Sequence, residues 1–402
     1  MGSAQQWVDD EFESLRLGDK RLERRFRSVL TDLARHCGKT LGSSFDSLAK
    51  LKGGYRFFAN ARVSLRAMLA PHVSHTVDRA RAHKTVLALQ DTTFFDYAHR
   101  PKTDGLDIVN RSRTNDPIEG LMLHNTLAIT TDGLPLGLLD QRFISRKKLH
   151  QSQKEQGKSD RSRVSRSIKD KESQRWIDVL RQCHALDLGG TQLVHVCDRE
   201  ADIYELFRDA SLLDEKVLVR ASHNRAINKS FQHEEATAWL FDKLSEHRAQ
   251  GRTRVTLQVN GKKKYREAVL SIVYMTVSLP APTNRTVEKD GESLPMVSLT
   301  AIMAIEKQGS VPLKDRACWT LLTNLPVADV NSAIEKVHWY AQRWNIEVFH
   351  KVLKSGCGVE RAQLASAERL KRYITVKSII AWRLFWLSRV QESDPPSSTV
   401  AS

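Results

Sequence analysis

The chain has 402 residues, of which 41% are hydrophobic and 27% charged, and this composition excludes a wholly disordered protein. Its formal net charge of +16 favours an anionic partner, most often nucleic acid, over a protein that is merely basic and soluble. No apolar run approaches the roughly 20 residues of a membrane span, and the five scattered cysteines favour a reducing cytosol over a disulfide framework or a zinc ribbon.

The first part of the chain, residues 7–82, has the apolar spacing of helices. Leu22 and Phe26 begin a series at three- and four-residue intervals, and a basic run that starts at Lys20 and Arg21 is interleaved with it. On a helix, this pattern gives one buried face and one cationic face. We interpret the cationic face as a DNA-binding surface, and a solvated surface is the alternative.

The pattern changes to that of strands after residue 84. Residues 85–90 form a short apolar run that ends at Asp91, which predicts a buried strand. Two further apolar segments, 120–131 and 134–140, flank the Asp-Gly pair at 132–133. The turn signal between them predicts an antiparallel hairpin.

The second half of the chain alternates between polar, β-like and helical patterns. Residues 142–175 are strongly basic without a hydrophobic period, which predicts a surface loop that orders on a phosphate backbone. Residues 191–197 predict another buried strand, and this strand ends at Asp198. Residues 217–322 are β-like, and helices return over 329–390.

Three carboxylates are candidate ligands for metal ions. Asp91 and Asp198 each end a predicted strand, and Glu347 lies in a predicted helix. Carboxylate oxygens suit hard divalent cations, and two such ions about 3.5–4 Å apart serve phosphodiester cleavage well. The alternative for Glu347 is a salt bridge with Arg343 or Lys351, four residues away on either side.

The helix that contains Glu347 presents a row of polar groups. Tyr340, Arg343, Glu347 and Lys354 are offset by zero, three, seven and fourteen residues, so that on one continuous α-helix they fall within roughly 60° of one face. Cations beside a carboxylate metal site would hold DNA phosphates.

These motifs together resemble the insertion-sequence-four transposases, in the Tn-five-like branch. The resemblance covers about residues 7–390, nearly the whole chain. It rests on the Tyr340-to-Lys354 helix, on the motifs at 198–202 and 90–93, and on the N-terminal motifs at 17–22 and 54–60.

The resemblance implies an α/β protein with a ribonuclease-H-like catalytic core, a β-rich insertion and a helical DNA-binding domain before the core. The expected domains are the helical DNA-binding domain (1–82), the first part of the core (83–214), the β-rich insertion (215–325), the helical part of the core (326–390) and a disordered tail (391–402).

The resemblance also implies a chemistry and its partners. Asp91, Asp198 and Glu347 would be the catalytic residues and would bind two ions of Mg²⁺, for which Mn²⁺ substitutes. The reaction would be cut-and-paste transposition through a DNA hairpin, ending with the 3′-OH joined to target DNA. The expected partners are double-stranded transposon ends and target DNA, bound by a homodimer in a bacterial-type cytoplasm, with no membrane.

Further residues are expected to contact DNA. Tyr340, Arg343 and Lys354 would contact phosphates near the cleaved end. Trp319 is the candidate platform for a base displaced at the hairpin, and a core tryptophan is the alternative. Lys20 and Arg21 would bind DNA on the N-terminal helix.

Two other functions stay open at this point. Members of the branch usually carry a further helical domain for pairing subunits, whereas about a dozen residues follow Val390 here. This favours, as an alternative, an end-binding and catalytically silent or shortened relative that regulates transposition. A third reading is a ribonuclease-H-like nuclease that cuts without strand transfer.

Overall fold

The computed structural model describes residues 3–100, 102–145, 172–227, 238–258, 265–282, 294–307 and 311–393. Its helices are α1 (Ala4–Glu11), α2 (Lys20–Arg35), α3 (Leu48–Ala59), α4 (Leu65–Ala80), α5 (Gln174–His184), α6 (Tyr204–Leu212), α7 (Leu240–Glu246), α8 (Val330–Ala341), α9 (Trp344–Lys351) and α10 (Ala367–Ser393). Its strands are β1 (Thr85–Asp96), β2 (Asp107–Arg111), β3 (Pro117–Thr130), β4 (Pro135–Ile144), β5 (Gln192–Cys197), β6 (Lys216–Arg220), β7 (Ala226–Ile227), β8 (Ala238–Trp239), β9 (Gly251–Gln258), β10 (Tyr265–Leu279), β11 (Val297–Ile305) and β12 (Cys318–Thr323).

The N-terminal region is helical, as the apolar spacing predicts. The carboxylate of Asp19 caps α2 by accepting a 2.7 Å hydrogen bond from the backbone N–H of Arg21. Phe26 and Leu30 of α2 are buried, whereas Lys20 and Arg21 are exposed. The helix therefore has the buried and cationic faces expected from its sequence.

Five strands form the centre of the main sheet, in the order β4-β3-β1-β5-β6. β1 pairs in parallel with β5, and β5 pairs in parallel with β6, whereas β1, β3 and β4 are antiparallel neighbours. This mixed sheet, with helices against it, is consistent with a ribonuclease-H-like core. The predicted hairpin is confirmed in β3 and β4.

The β-rich part of the chain continues the same sheet. Beyond β6 the order is β12-β11-β10-β9, and all of these pairings are antiparallel. β2 pairs with the first residues of β3, and β7 pairs with β8 in a separate two-stranded ribbon. Most of the loop predicted over 142–175, and most of the tail predicted over 391–402, lie outside the described residues.

Helix α10 connects the N-terminal helices to the sheet. Its residues Tyr373 and Trp382 are buried, and the indole N–H of Trp382 donates a 3.1 Å hydrogen bond to the backbone carbonyl of Pro135 at the start of β4. The ring of Tyr373 stacks edge-on against Phe58 of α3 at 5.6 Å. One hydrophobic cluster thus includes both regions. No helix within the described ranges is long and apolar enough to cross a membrane.

The single helix expected around Glu347 is interrupted twice, so the prediction of one continuous α-helix was wrong. α8 ends at Ala341, and the backbone N–H of Arg343 bonds to the carbonyl of Tyr340 at 3.0 Å, which is the tighter spacing of a 3₁₀ turn. After α9, residues Val352–Gly356 form a π turn. Because the rotation per residue changes in such turns, a constant angle does not predict which side chains share a face on either side of them.

A buried polar cluster connects α1 and α4 to β4. Both carboxylate oxygens of Glu11 accept hydrogen bonds of 3.0 Å from the guanidinium of Arg79. The Nδ1 atom of His72 lies 2.6 Å from the same carboxylate, and its Nε2 accepts a 3.0 Å hydrogen bond from the backbone N–H of Leu138. Since Nε2 accepts, the proton of the neutral ring is on Nδ1, where it donates to Glu11.

The ionisation of this cluster is set by burial and by charge. Burial raises the pKa of Glu11, but the hydrogen bonds and charges of His72 and Arg79 outweigh this and lower it from 4.5 to about 2. Burial lowers the pKa of His72 below its usual 6.5, which keeps the ring neutral. In the unfolded chain both groups take up protons at higher pH than in the folded state.

Acid is therefore expected to destabilise the fold in two ranges. Stability falls below pH 6.5 because the unfolded state protonates its histidine first, and it falls again between pH 4.5 and about 2 as Glu11 loses its charge. The Glu11 shift corresponds to about 3 kcal/mol. We predict that Glu11→Gln is less stable at pH 7 and that its deficit shrinks as the pH falls below 4.5, measured by urea unfolding.

The exposed Asp10 on the same helix provides the control. Asp10→Asn should leave the unfolding midpoint almost unchanged, as is usual for surface substitutions. A Glu11→Gln deficit that is the same at pH 7 and pH 3 would contradict the assignment.

Candidate active site

The register of two parallel strands brings the first two carboxylates together. Leu89 of β1 pairs with Val196 of β5, and continuing this register by two residues brings Asp91 level with Asp198. The two aspartates are therefore adjacent although they are far apart in sequence. The strand of Asp91 does not end there as predicted: only its parallel pairing with β5 stops at Leu89, and β1 continues to Asp96 beside β3. The side chains before this level on both strands are buried and mostly apolar, whereas Asp91 and Asp198 are half-buried and acidic.

Glu347 lies with them, on α9, which packs on β1. Burial raises the pKa of Glu347, and the negative charges of Asp91 and Asp198 raise it further against the opposing effect of Arg343. Burial likewise raises the pKa of Asp198, with Asp91 adding to the shift. Each pair among the three carboxylates therefore interacts electrostatically, in a partly desolvated position that favours a compensating positive charge.

In the described structure, the carboxylates are engaged by protein groups. The guanidinium of Arg343 donates to Glu347, which is the salt bridge considered as the alternative for this residue. The carboxylate of Asp198 accepts a 2.9 Å hydrogen bond from the backbone N–H of Glu200. Across the described ranges, no three His, Cys, Asp or Glu side chains are arranged as a metal-binding group. The carboxylate oxygens are still the donor type that a hard divalent cation requires.

The other residues of the predicted row lie around this cluster in different environments. Tyr340 is buried and its ring packs edge-on against Trp319, with centroids 5.3 Å apart. Trp319 is half-buried at the start of β12. Lys354, in the π turn, lies over the ring of Phe95 at 5.6 Å and interacts electrostatically with Asp91. The interrupted helix thus still brings Tyr340 within electrostatic range of Asp198 and Lys354 within that of Asp91.

Sequence reasoning missed a buried chain of amides and a histidine behind Asp91. Gln141 Nε2 donates to Asn125 Oδ1 at 3.0 Å, and Asn125 Nδ2 lies 3.0 Å from His350 Nε2. Because the amide nitrogen can only donate, the neutral ring has its proton on Nδ1, which is 3.4 Å from Asp91 Oδ2. His350 follows Glu347 by three residues, so helical spacing was the one available signal.

A large cavity lies beside Arg343, the ion-pair partner of Glu347, and none of the three carboxylates is among its lining residues. Its volume is about 1210 Å³, and it lies between the α8–α9 junction and the strands β9, β10 and β12. Trp319, Tyr340 and Trp344 contribute aromatic surface. Its basic lining residues are Arg199, Arg220, Arg254, Arg266, Arg316, Arg343 and Arg389.

Some acidic and basic candidates lie elsewhere. Lys20 and Arg21 are exposed on α2 and do not line the cavity. Asp202, the last residue of the motif at 198–202, is buried and accepts a 2.7 Å hydrogen bond from the backbone N–H of Ser222, which indicates a structural role. Glu200 pairs with Arg175.

Two protein-family models match the chain. A model described as "Transposase DNA-binding" matches residues 4–63, and one described as "Transposase DDE domain" matches residues 163–383. The second match spans more than half of the chain and includes Asp198 and Glu347, whereas Asp91 precedes it. With a helical DNA-binding region at its N-terminus and a DDE domain in its core, the chain belongs to the DDE transposase family, whose members cleave DNA and transfer its strands with divalent metal ions.

Proposed function

We propose that this transposase is a cut-and-paste enzyme of the insertion-sequence-four family, in the Tn-five-like branch. It binds the end repeats of its element, nicks each end, and uses the freed 3′-OH to close a DNA hairpin. The hairpin is then reopened and the 3′-OH is joined to target DNA. The observation that carries the proposal is the mutual electrostatic coupling of Asp91, Asp198 and Glu347 beside an arginine-lined cavity.

We propose these three carboxylates as the catalytic residues and as the ligands of two Mg²⁺ ions, with Mn²⁺ as a substitute. Such ions activate the attacking oxygen and neutralise charge on the leaving oxygen. Two features support the assignment: the ligands are oxygen donors, and the like charges of neighbouring carboxylates raise the pKa of Asp198 and of Glu347. For Glu347 to act as a ligand, its carboxylate must leave the guanidinium of Arg343, which is then available to a DNA phosphate.

The cavity is the proposed seat of the cleaved DNA end. Its arginines suit phosphates, because a guanidinium can donate two parallel hydrogen bonds to one phosphate. Arg343 and Lys354 would hold phosphates at the carboxylates. Trp319 is half-buried and lines the cavity, so it offers one ring face to a displaced base, while the buried Tyr340 supports that ring from its edge.

The proposed partners follow from the reaction. Two transposon ends must be cut and inserted together, so we propose a homodimer on double-stranded DNA, with Lys20 and Arg21 of α2 contacting the end repeats. The chromosomal or plasmid substrate places the reaction in a bacterial-type cytoplasm.

The first prediction concerns Glu347→Gln, which keeps the size of the side chain and removes its charge. Cleavage of a labelled duplex that carries the element's own end should fall by more than about 100-fold in Mg²⁺, because residues that only orient metal ligands already contribute 10–100-fold. Binding of the same duplex should be retained. Products are resolved on a denaturing gel, where the wild type should give a hairpin.

Other product patterns separate the alternatives. Tight binding without cleavage by either protein would indicate an end-binding relative that regulates transposition. Nicked product without a hairpin or joined strands would indicate a nuclease.

The second prediction concerns His350, which we propose as a positioning residue that orients Asp91. Replacing it by glutamine should raise the Mg²⁺ concentration for half-maximal cleavage by about tenfold, with little effect on DNA binding. His184→Gln, on the outer helix α5, is the matched control and should leave the Mg²⁺ dependence unchanged. If His350→Gln lowers the thermal stability but leaves the Mg²⁺ dependence unchanged, His350 contributes to packing and does not orient Asp91.

The third prediction concerns the cationic face of α2. The double variant Lys20→Ala/Arg21→Ala should bind the end duplex more weakly, and the slope of log K against log salt should fall by about one for each lost phosphate contact. Fluorescence anisotropy over a salt series measures both quantities. Lys243→Ala, on α7, removes a cation that pairs with Glu246 and should change neither. An unchanged slope in the double variant would show that the cationic face of α2 is exposed to solvent and does not contact the DNA phosphates.

A further inference from the structure

Two free cysteines meet at the boundary between the N-terminal helices and the catalytic helices. Cys37 follows α2, and Cys357 follows the π turn after α9. They are 320 residues apart in sequence, yet their Sγ atoms are 2.9 Å apart. Since a disulfide has an S–S distance of about 2.05 Å, the sulfurs need to approach by less than about 1 Å to form one.

The contact is held in place by hydrogen bonds to the backbone of Cys37 and of the residue that follows it. The buried ammonium of Lys377 on α10 donates a 2.8 Å hydrogen bond to the backbone carbonyl of Cys37. The guanidinium of Arg361 donates a 2.7 Å hydrogen bond to the carbonyl of the next residue, Gly38. The segment around Cys37 is therefore tied to the part of the chain that contains Cys357, independently of the two thiols.

The two thiols differ in character. The hydrogen bond from Cys357 lowers the pKa of Cys37 to about 7, with a further contribution from the charge of Lys377 and an opposing one from burial. The pKa of Cys357 is raised by the same hydrogen bond and by its burial. Cys37, which is also partly exposed, is thus the nucleophile of the pair, and Cys357 is positioned to attack a modified Cys37.

The remaining cysteines lack this combination. Cys183 and Cys197 are buried, and burial raises the pKa of both thiols. Cys318 is exposed at the start of β12. They provide internal references for any thiol reaction of this protein.

We propose that Cys37 and Cys357 are a redox modification site that forms a reversible intramolecular disulfide with hydrogen peroxide as the oxidant. The thiolate of Cys37 attacks one peroxide oxygen, the O–O bond breaks, and hydroxide leaves with a sulfenic acid on Cys37. The thiol of Cys357 attacks that sulfur, an S–S bond forms, and the sulfenic oxygen leaves as water. In sum, two thiols and one peroxide give one disulfide and two waters, and a dithiol reductant reverses the change.

The bond would join the DNA-binding helices to the segment that follows Glu347 and Lys354. It would close a very long loop, and cross-links that close long loops restrict the unfolded chain most. Oxidation therefore raises the thermal midpoint by several degrees. The proposal does not depend on the transposition reaction, because it concerns thiol chemistry alone.

The test uses the full-length protein, treated with hydrogen peroxide at neutral pH, blocked with an alkylating reagent and digested without reductant. The expected result is a Cys37–Cys357 cross-linked peptide, faster migration of the intact chain on a non-reducing gel, and a higher thermal midpoint. Dithiothreitol should reverse all three. Cys318→Ser should form the bond as the wild type does, whereas Cys37→Ser and Cys357→Ser should not.

Other outcomes overturn the proposal. Full alkylation of Cys37 and Cys357 after a peroxide dose that oxidises Cys318 would show that the pair does not react. Over-oxidation of Cys37 without a cross-link would show that Cys357 cannot reach it. The comparison of wild-type protein with and without peroxide decides between these outcomes even if Cys357→Ser fails to fold.

Discussion

The parallel pairing of β1 with β5 is the contact around which the catalytic half of the molecule is arranged. Its register sets Asp91 and Asp198 at one level of the sheet, two residues beyond the last parallel pair, Leu89 with Val196. A shift of one residue would turn one of the two carboxylates to the opposite face of the sheet. Apolar residues on both faces of β1 and β5 are buried up to this level, and Asp91 and Asp198 are half-buried. The candidate site thus lies where the buried, parallel part of the sheet stops.

Bringing three carboxylates together costs electrostatic free energy, and a neighbouring positive charge offsets part of this cost. Burial and like charge raise the pKa of Asp198 and Glu347, while Arg343 opposes the shift at Glu347. The arginine is thus an internal counter-charge to Glu347. A divalent cation would supply the same compensation more strongly, and would release Arg343 toward the cavity. In the proposed mechanism this guanidinium exchanges Glu347 for a DNA phosphate, which would link carboxylate ionisation to phosphate binding.

Three contacts join the N-terminal helices to the core: an aromatic pair, a buried charged cluster and a close pair of cysteines. Aromatic stacking between Phe58 and Tyr373 joins α3 to α10. The Glu11 cluster joins α1 and α4 to β4, with a charge that burial alone would disfavour. The close approach of Cys37 to Cys357 adds a third contact, directly beside the catalytic helices. The transposase DNA-binding region and the DDE domain consequently share one hydrophobic cluster.

The sequence by itself determined the features that depend on local pattern. Short apolar runs before Asp91 and Asp198 predicted two strands, although β1 continues past Asp91 to Asp96. The spacing around Leu22 and Phe26 predicted a helix with one cationic face. Helical spacing also brought Glu347 and Arg343 together, because four residues are one turn apart. Only the tertiary structure decided what depends on neighbours distant in sequence: the level at which the two aspartates meet, the turns that interrupt the helix after Tyr340 and after Lys351, the orientation of His350 by Asn125, and the contact of two cysteines 320 residues apart. The physical reason is that strand register and side-chain contacts are set by packing between elements, whereas local periodicity records only which face of an element is buried.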